Sequence, residues 1–334
     1  MPRSVIARAP TRIDFGGGWT DVPPYPETDG GCVCSLAIGR FASVQITEST
    51  SDTRGEAQLR GDQYDGGRLV AAAVRRAGLR GVEVALRSDF PTGAGLGGSS
   101  AAGVALQGAL ATWRDESANF DLAMLAEASR QVEVVDLGVP GGRQDHYAAA
   151  FGGALELSFG DRVAVRRIGL SEQTRADLES RLLLIYTGQS RISGDTITTV
   201  IDAYRAHNPR VVNALARMKT LAKEMADALA RGDVDALGAL VGEHWIHQRA
   251  LHPAITTERI DAIMERAQAA GAIGGKALGA SGGGCVLLIV RPEMVNRVRG
   301  AVSSLGEVVA FSIDETGLTA AALDPVHAGN DAWA

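Results

Sequence analysis

Apolar and polar positions alternate from Val82 to Arg87, with Val82, Val84 and Leu86 on one side and Glu83, Ala85 and Arg87 on the other. A period of two predicts a half-buried strand. The next apolar block, over 101–113, is rich in Ala and predicts a helix. The same patterns predict a strand over 5–13 and one or two strands within 32–47, where Val33, Ser35 and Ala37 share a face. A loop with Pro23, Pro24 and Pro26 separates them, and its prolines are expected to exclude helix. Polar residues over 48–67 predict surface loops with at most a short strand. A short helix over 69–76 precedes the alternating stretch. A helix over 121–135 carries the stripe Leu122, Leu125, Ala126 and Val132, with Asn119 or Asp121 as its cap. Strands are predicted near 154–158, 163–168 and 182–187. Beyond 196 the period changes to that of helices, over 196–207, 211–231, 234–248 and 257–270. Asp233 caps the third of these, and Gly232 and Gly271 mark stops. Strands over 273–279, 285–290 and 308–312, with 292–305 helical, resemble half of a ferredoxin-like unit. Residues 319–334 read as a tail. This pattern predicts an α+β chain of two domains, 1–187 and 188–334.

Between the alternating stretch and the Ala-rich helix lies Pro91-Thr92-Gly93-Ala94-Gly95-Leu96-Gly97-Gly98-Ser99-Ser100. A glycine-rich turn that opens a helix presents bare amides and a positive dipole end, so it suits a phosphate. Gly93 to Gly98 also satisfies G-x-G-x-x-G, but the dinucleotide fingerprint needs an acidic residue ending the next strand. Asp115 and Glu116 fall at that distance in a polar stretch that reads as a helix end. Gly275-Lys276-Ala277 lacks the hydroxyl that the other common phosphate loop needs for magnesium.

The loop resembles P-x-G-x-G-L-G-S-S-A of the GHMP small-molecule kinases, with Gly98 inserted before the serines. Two further stretches resemble that family in the same order. Residues 8–21, Arg-Ala-Pro-Thr-Arg-Ile-Asp-Phe-Gly-Gly-Gly-Trp-Thr-Asp, look like its N-terminal substrate motif. Residues 276–285, Lys-Ala-Leu-Gly-Ala-Ser-Gly-Gly-Gly-Cys, look like its C-terminal glycine motif. The resemblance implies a two-lobed fold: an N-terminal lobe on a mixed sheet, and a ferredoxin-like C-terminal lobe. It implies ATP and Mg²⁺ as cofactors, a small-molecule acceptor, and the sugar-kinase branch. Gly-x-Gln-Asp-x-Tyr-Ala-Ala-Ala-Phe-Gly-Gly around Asp145 is most similar to D-glycero-D-manno-heptose 7-phosphate kinases. Gly17 to Tyr25 looks instead like L-fucokinase, which takes a free sugar.

Carried over by resemblance, Pro91, Gly93, Gly95, Leu96, Gly97, Gly98, Ser99 and Ser100 hold ATP. Ser99, which keeps the family spacing, or Ser100 contacts the metal with Glu133, and the other serine caps the helix. Glu127 competes with Glu133 on the same predicted helix. Asp145 would accept or orient the proton of the attacking hydroxyl, and Arg12 would steady the transferring phosphoryl charge. Gly18, Trp19, Thr20 and Asp21 would meet the sugar, with Gly283 bordering it. Arg143 and Arg191 are candidates for a second anionic group on the substrate. Lys276 is expected to support the ATP loop, and His146 to pack. His244 and His247 lack a carboxylate third ligand for a metal.

Charge and cysteine content narrow the class further. A net charge of −6 and a pI near 5.6 argue against a nucleic-acid or anionic-membrane surface. Nothing near Met1 reads as a signal peptide, and no apolar run is long enough to span a membrane. Three cysteines read as small buried thiols in a reducing cytoplasm. A homodimer is compatible with the resemblance. Two other readings stay open: a sugar and ATP sensor without catalysis, and a nucleotide-dependent dehydrogenase.

Overall fold

The predicted first strand runs on to Gly16 as β1 (Ser4–Gly16) in a computed structural model that describes residues 3–49, 58–60, 66–115, 119–189 and 194–323. After it comes a short helix, α1 (Tyr25–Thr28), where the prolines were expected to exclude one. Pro26 sits in its first turn, where an N–H has no intrahelical acceptor to lose. The stretch over 32–47 is a single strand, β2 (Gly31–Glu48). Next come β3 (Gln58–Arg60), α2 (Gly66–Ala77), β4 (Val82–Ser88) and α3 (Gly98–Arg114). Asp121 caps α4 (Leu122–Arg130) by accepting from the Met124 amide. The helix predicted to reach 135 changes there into a π-helical turn, Gln131–Asp136. Then follow α5 (Gln144–Phe151), β5 (Ala154–Phe159) and β6 (Ala164–Ile168).

Helix α6 (Glu172–Arg181) has no counterpart in the sequence reading. Its buried residues are Thr174, Leu178 and Arg181, which make no apolar stripe, and Ser171 caps it. Strand β7 (Leu182–Tyr186) leads into α7 (Gly194–Arg205), α8 (Pro209–Ala230), α9 (Val234–Leu251) and α10 (Glu258–Ala270). Asp233 caps α9 and Gly271 ends α10 in the left-handed region, as expected. The chain closes with β8 (Ala272–Ala277), β9 (Cys285–Val290), α11 (Val295–Val302), β10 (Glu307–Val308) and β11 (Thr319–Ala322).

Two sheets result. The first has the order β11-β1-β2-β4-β3, with β5 also on β2 and β6 on β5. The second is antiparallel with the order β10-β7-β9-β8. Sequence order β7-helices-β8-β9-α11-β10 in that arrangement is a whole ferredoxin-like unit rather than half. The sheets do not part at residue 187. Strand β7 belongs to the second sheet, and β11, which read as tail, returns to the first and pairs Ala322 with Val5.

Three apolar clusters hold the layers. One lies between the first sheet and α2 to α5. The second joins both sheets through α8 and α9, with Ile13 and Phe15 of β1 among Leu184, Met225, Val241 and Leu287. The third covers the far face of the second sheet and takes in Trp19 and Tyr25. Strand β9 is buried on both faces: Cys285, Leu287 and Ile289 enter the second cluster, and Val286, Leu288 and Val290 the third. That explains its unbroken apolar run. All three cysteines are free and buried. Among the described residues no helix is long and apolar enough to cross a membrane.

Candidate active site

The loop after β4 reaches α3 through three left-handed glycines, Gly93, Gly95 and Gly97, with φ of 69°, 73° and 72°. Gly97 is itself the cap residue, and neither serine caps the helix. The Ala101 amide bonds the Gly97 carbonyl at 2.9 Å. The amides of Gly98, Ser99 and Ser100 therefore precede the helical ladder and suit an anion. A second glycine loop braces this one from behind. The Cys285 amide donates to the Ala94 carbonyl at 2.7 Å. A Cβ on Gly95 would lie 2.7 Å from the Leu278 carbonyl, and one on Gly284 2.8 Å from that of Ala94. Only glycine permits this contact of main chain with main chain. Gly283 presses in the same way on Gln189, 2.7 Å from its carbonyl.

Asp145 enters from the first turn of α5. Its Oδ1 accepts from Arg12 Nε at 2.8 Å and pairs with Nη2 at 2.6 Å, while Arg12 Nη1 donates to the Gly95 carbonyl at 2.7 Å. Arg12 thus ties the aspartate to the glycine loop. A Cβ on Gly97 would meet the Asp145 carboxyl at 3.1–3.2 Å. The Arg12 side chain is 3% exposed and that of Asp145 28%, so the carboxylate keeps an open side.

Asp21, Thr20 and Trp19, expected to meet the sugar, each engage protein groups as well. Asp21 Oδ2 accepts from the Arg143 and Gln144 amides at 2.8 and 2.9 Å, and Oδ1 from Gln144 Nε2 at 3.3 Å. Asp21 therefore fastens the start of α5, the helix that presents Asp145. Burial raises its pKa to about 6, against the opposing pull of the Gln144 amide. Gly142 leaves it room, since a Cβ there would lie 1.9 Å from Oδ2. Thr20 Oγ1 donates to the Gly17 carbonyl and accepts from the Cys32 amide. Trp19, left-handed at φ 79°, packs in the third cluster with Tyr25 and Tyr204. Gly18 faces Asp14 and Gln144.

Glu133 lies on the π turn, and its Oε2 accepts from Ser100 Oγ at 3.1 Å. Of the two serines left open by the resemblance, Ser100 stands beside the acid, while Ser99 is exposed. Glu127 is engaged elsewhere: it accepts from Tyr147 Oη at 3.0 Å and pairs with Arg143 at 3.5 Å. Arg191 lies outside the described residues. No group of three or more His, Cys, Asp and Glu could hold a metal among the described residues. The hard oxygens of Ser100 and Glu133 nonetheless fit magnesium, which fills its shell mostly with phosphate and water.

Two supporting contacts escaped the sequence reading. Lys276 Nζ, fully buried, donates to Asp14 Oδ2 at 2.8 Å and to its carbonyl at 3.0 Å, joining β8 to β1. His244 Nε2 accepts from the Gly17 amide at 2.9 Å and holds the turn after β1. Spacing gave no signal for either, because the partners lie 262 and 227 residues apart.

A helix N-terminus framed by glycines, an arginine-held aspartate at its mouth and a serine–glutamate pair behind it form an arrangement that suits phosphoryl transfer. Family models of the GHMP kinases N terminal domain and of the GHMP kinases C terminal region match residues 67–153 and 225–308, and the chain belongs to the GHMP kinases. It is 26% identical to D-glycero-alpha-D-manno-heptose 7-phosphate kinase of Campylobacter jejuni, over 95% of this chain and 98% of that one. It is 28% identical, over 87% of its length, to a bifunctional fucokinase/GDP-fucose pyrophosphorylase of Arabidopsis thaliana, of which it spans only 30%. The crystal structure of a D-glycero-D-manno-heptose 1-phosphate kinase from Bacteroides thetaiotaomicron superposes with a TM-score of 0.74 at 26% identity, covering 95% of this chain and 98% of that one.

Proposed function

We propose that this chain transfers the γ-phosphoryl group of ATP to the anomeric hydroxyl of a sugar, with a heptose 7-phosphate as the acceptor. The observation that carries the reading is Asp145, held by Arg12 against the loop of Gly95 and Gly97 with one side open. Its carboxylate orients the acceptor hydroxyl and takes its proton. The amides of Gly98, Ser99 and Ser100 bind phosphate oxygens, and Arg12 offsets charge that builds during transfer. Ser100 and Glu133 would hold Mg²⁺, which supplies further neutralisation of the phosphates. The heptose phosphate is favoured because the likeness to the Campylobacter jejuni kinase covers 95% of this chain and 98% of that one. Arg143 and Arg191 are proposed for the acceptor's own phosphate, and Gly18 and Gly283 for its ring.

A second reading, a free-sugar kinase such as an L-fucokinase, is favoured by the stretch from Gly17 to Tyr25 and by the Arabidopsis thaliana relative. ATP turnover against heptose 7-phosphate, fucose, galactose and arabinose, with NMR of the product, separates the two. Turnover confined to a non-sugar alcohol such as mevalonate would overturn both.

A further inference from the structure

We propose that His146 is a positioning residue, whose imidazole holds Ser100 and Glu133 together as the oxygen pair that receives the divalent cation of ATP. The inference rests on the functional reading above. It adds a residue that touches neither nucleotide nor acceptor.

His146 follows Asp145 on α5, yet the two side chains part. Asp145 meets Arg12 at the surface, and His146 points inward at 2% exposure. Its Nδ1 lies 2.9 Å from Ser129 Oγ on α4. Its Nε2 lies 3.4 Å from Ser100 Oγ on α3 and 3.4 Å from Glu133 Oε2 on the π turn. One ring therefore ties three elements to the helix that carries Asp145.

The chemistry of the partners assigns the tautomer. The ring's partners are a hydroxyl at Nδ1 and a hydroxyl and a carboxylate at Nε2. A carboxylate only accepts, whereas the Ser129 hydroxyl can donate. The contacts agree when Ser129 donates to Nδ1 and Nε2–H donates to Ser100 Oγ. Ser100 in turn donates to Glu133 Oε2. The ring thus orients the hydroxyl that holds Glu133 on the wide π turn, a kind of turn that often marks functional sites. The space for Ser129 comes from Gly103, where a Cβ would lie 2.3 Å from its Oγ.

The test is Mn²⁺ binding to the full chain with a non-hydrolysable ATP analogue, read by electron paramagnetic resonance. His146→Ala is expected to weaken Mn²⁺ binding by about 10–100-fold, the usual loss when a ligand's supporting partner is removed. The KM of the acceptor should stay as in the wild type. His146→Gln, whose amide nitrogen reaches the place of Nε2, should restore most of the affinity. Equal Mn²⁺ affinity in His146→Ala and wild type would overturn the inference. So would a loss that Gln does not restore, because that marks simple packing. If His146→Ala does not fold by circular dichroism, Ser129→Ala takes its place: weakened Mn²⁺ binding supports the inference, and unchanged binding overturns it. A wild-type chain that binds no Mn²⁺ with the nucleotide analogue would overturn the functional reading itself.

Discussion

Arg12 and Asp14 project from the same face of β1, two residues apart, and each forms an ion pair. The partner of Arg12 is Asp145, 28% exposed and facing the glycine loop. The partner of Asp14 is Lys276, with both side chains sealed at 2% and 0% exposure. The chemistry is nearly the same, and the surroundings separate the two. Asp145 keeps one side of its carboxylate open, as the proposed role toward an acceptor hydroxyl requires. In the sealed pair, Lys276 spends its contacts on the Asp14 side chain and carbonyl, and burial lowers its pKa. Such a pair adds little net stability over apolar residues, yet breaking one half of it is costly. It fixes β8 to β1, and so fixes the frame in which Arg12 meets Asp145.

Asp145→Asn breaks the open pair. It is expected to lower kcat by about 10²–10⁴-fold, the usual worth of a general base. ATP binding and the unfolding midpoint should stay near wild type, as steady-state kinetics and nucleotide titration would show. Full activity would remove Asp145 from the reaction and favour a sensor. Lys276→Met breaks the sealed pair and leaves a buried carboxylate alone, at about 3–5 kcal/mol of stability by urea unfolding. Adding Asp14→Asn should recover most of that loss; a second, additive loss would show that the two residues do not act as a pair.

Asp21 sharpens the contrast, because it is buried without a cation. Its pKa stands at about 6 against an ordinary 3.8. Protonation therefore favours the fold, a contribution complete below the lower value and lost as pH rises through the upper one. Over that window Asp21→Asn should gain about 3 kcal/mol on the wild type in urea unfolding. A gap that moves the other way would mean that the Arg143 and Gln144 amides outweigh burial. The smallest effect is expected for Gly97→Ala. The left-handed φ of 72° costs a side chain about 1–2 kcal/mol. The added methyl should also disturb Asp145 and raise the KM for ATP; an unchanged KM would show that the loop tolerates a side chain there.

Much of this site could be read from local pattern. The strand, glycine loop and Ala-rich helix around Gly93 to Ser100 lie together in sequence, and so do the caps Asp121 and Asp233. The rest depends on long-range packing. No residue type announces a π turn, so Val132 to Val135 read as ordinary helix, and only the family resemblance set Glu133 beside a serine. Asp14 looked like part of a motif until β8 brought Lys276 to it. Asp21 and Trp19 lie in a loop whose local pattern gave no sign that Asp21 would accept the Arg143 and Gln144 amides or that Trp19 would join the third cluster. Strand β7 reads correctly as a strand. Its sheet is decided by partners at Cys285 to Ile289, a hundred residues on.

The pairing of Val5 with Ala322 also bears on how the chain is made. The strand that carries Arg12 and Asp14 is made well before its outer neighbour, which lies far along the chain. Until β11 arrives, the flank of β1 is an open template for other nascent chains. The four residues of β11 act as a late latch, and the speed of its closure sets how long newly made kinase is vulnerable to misassembly.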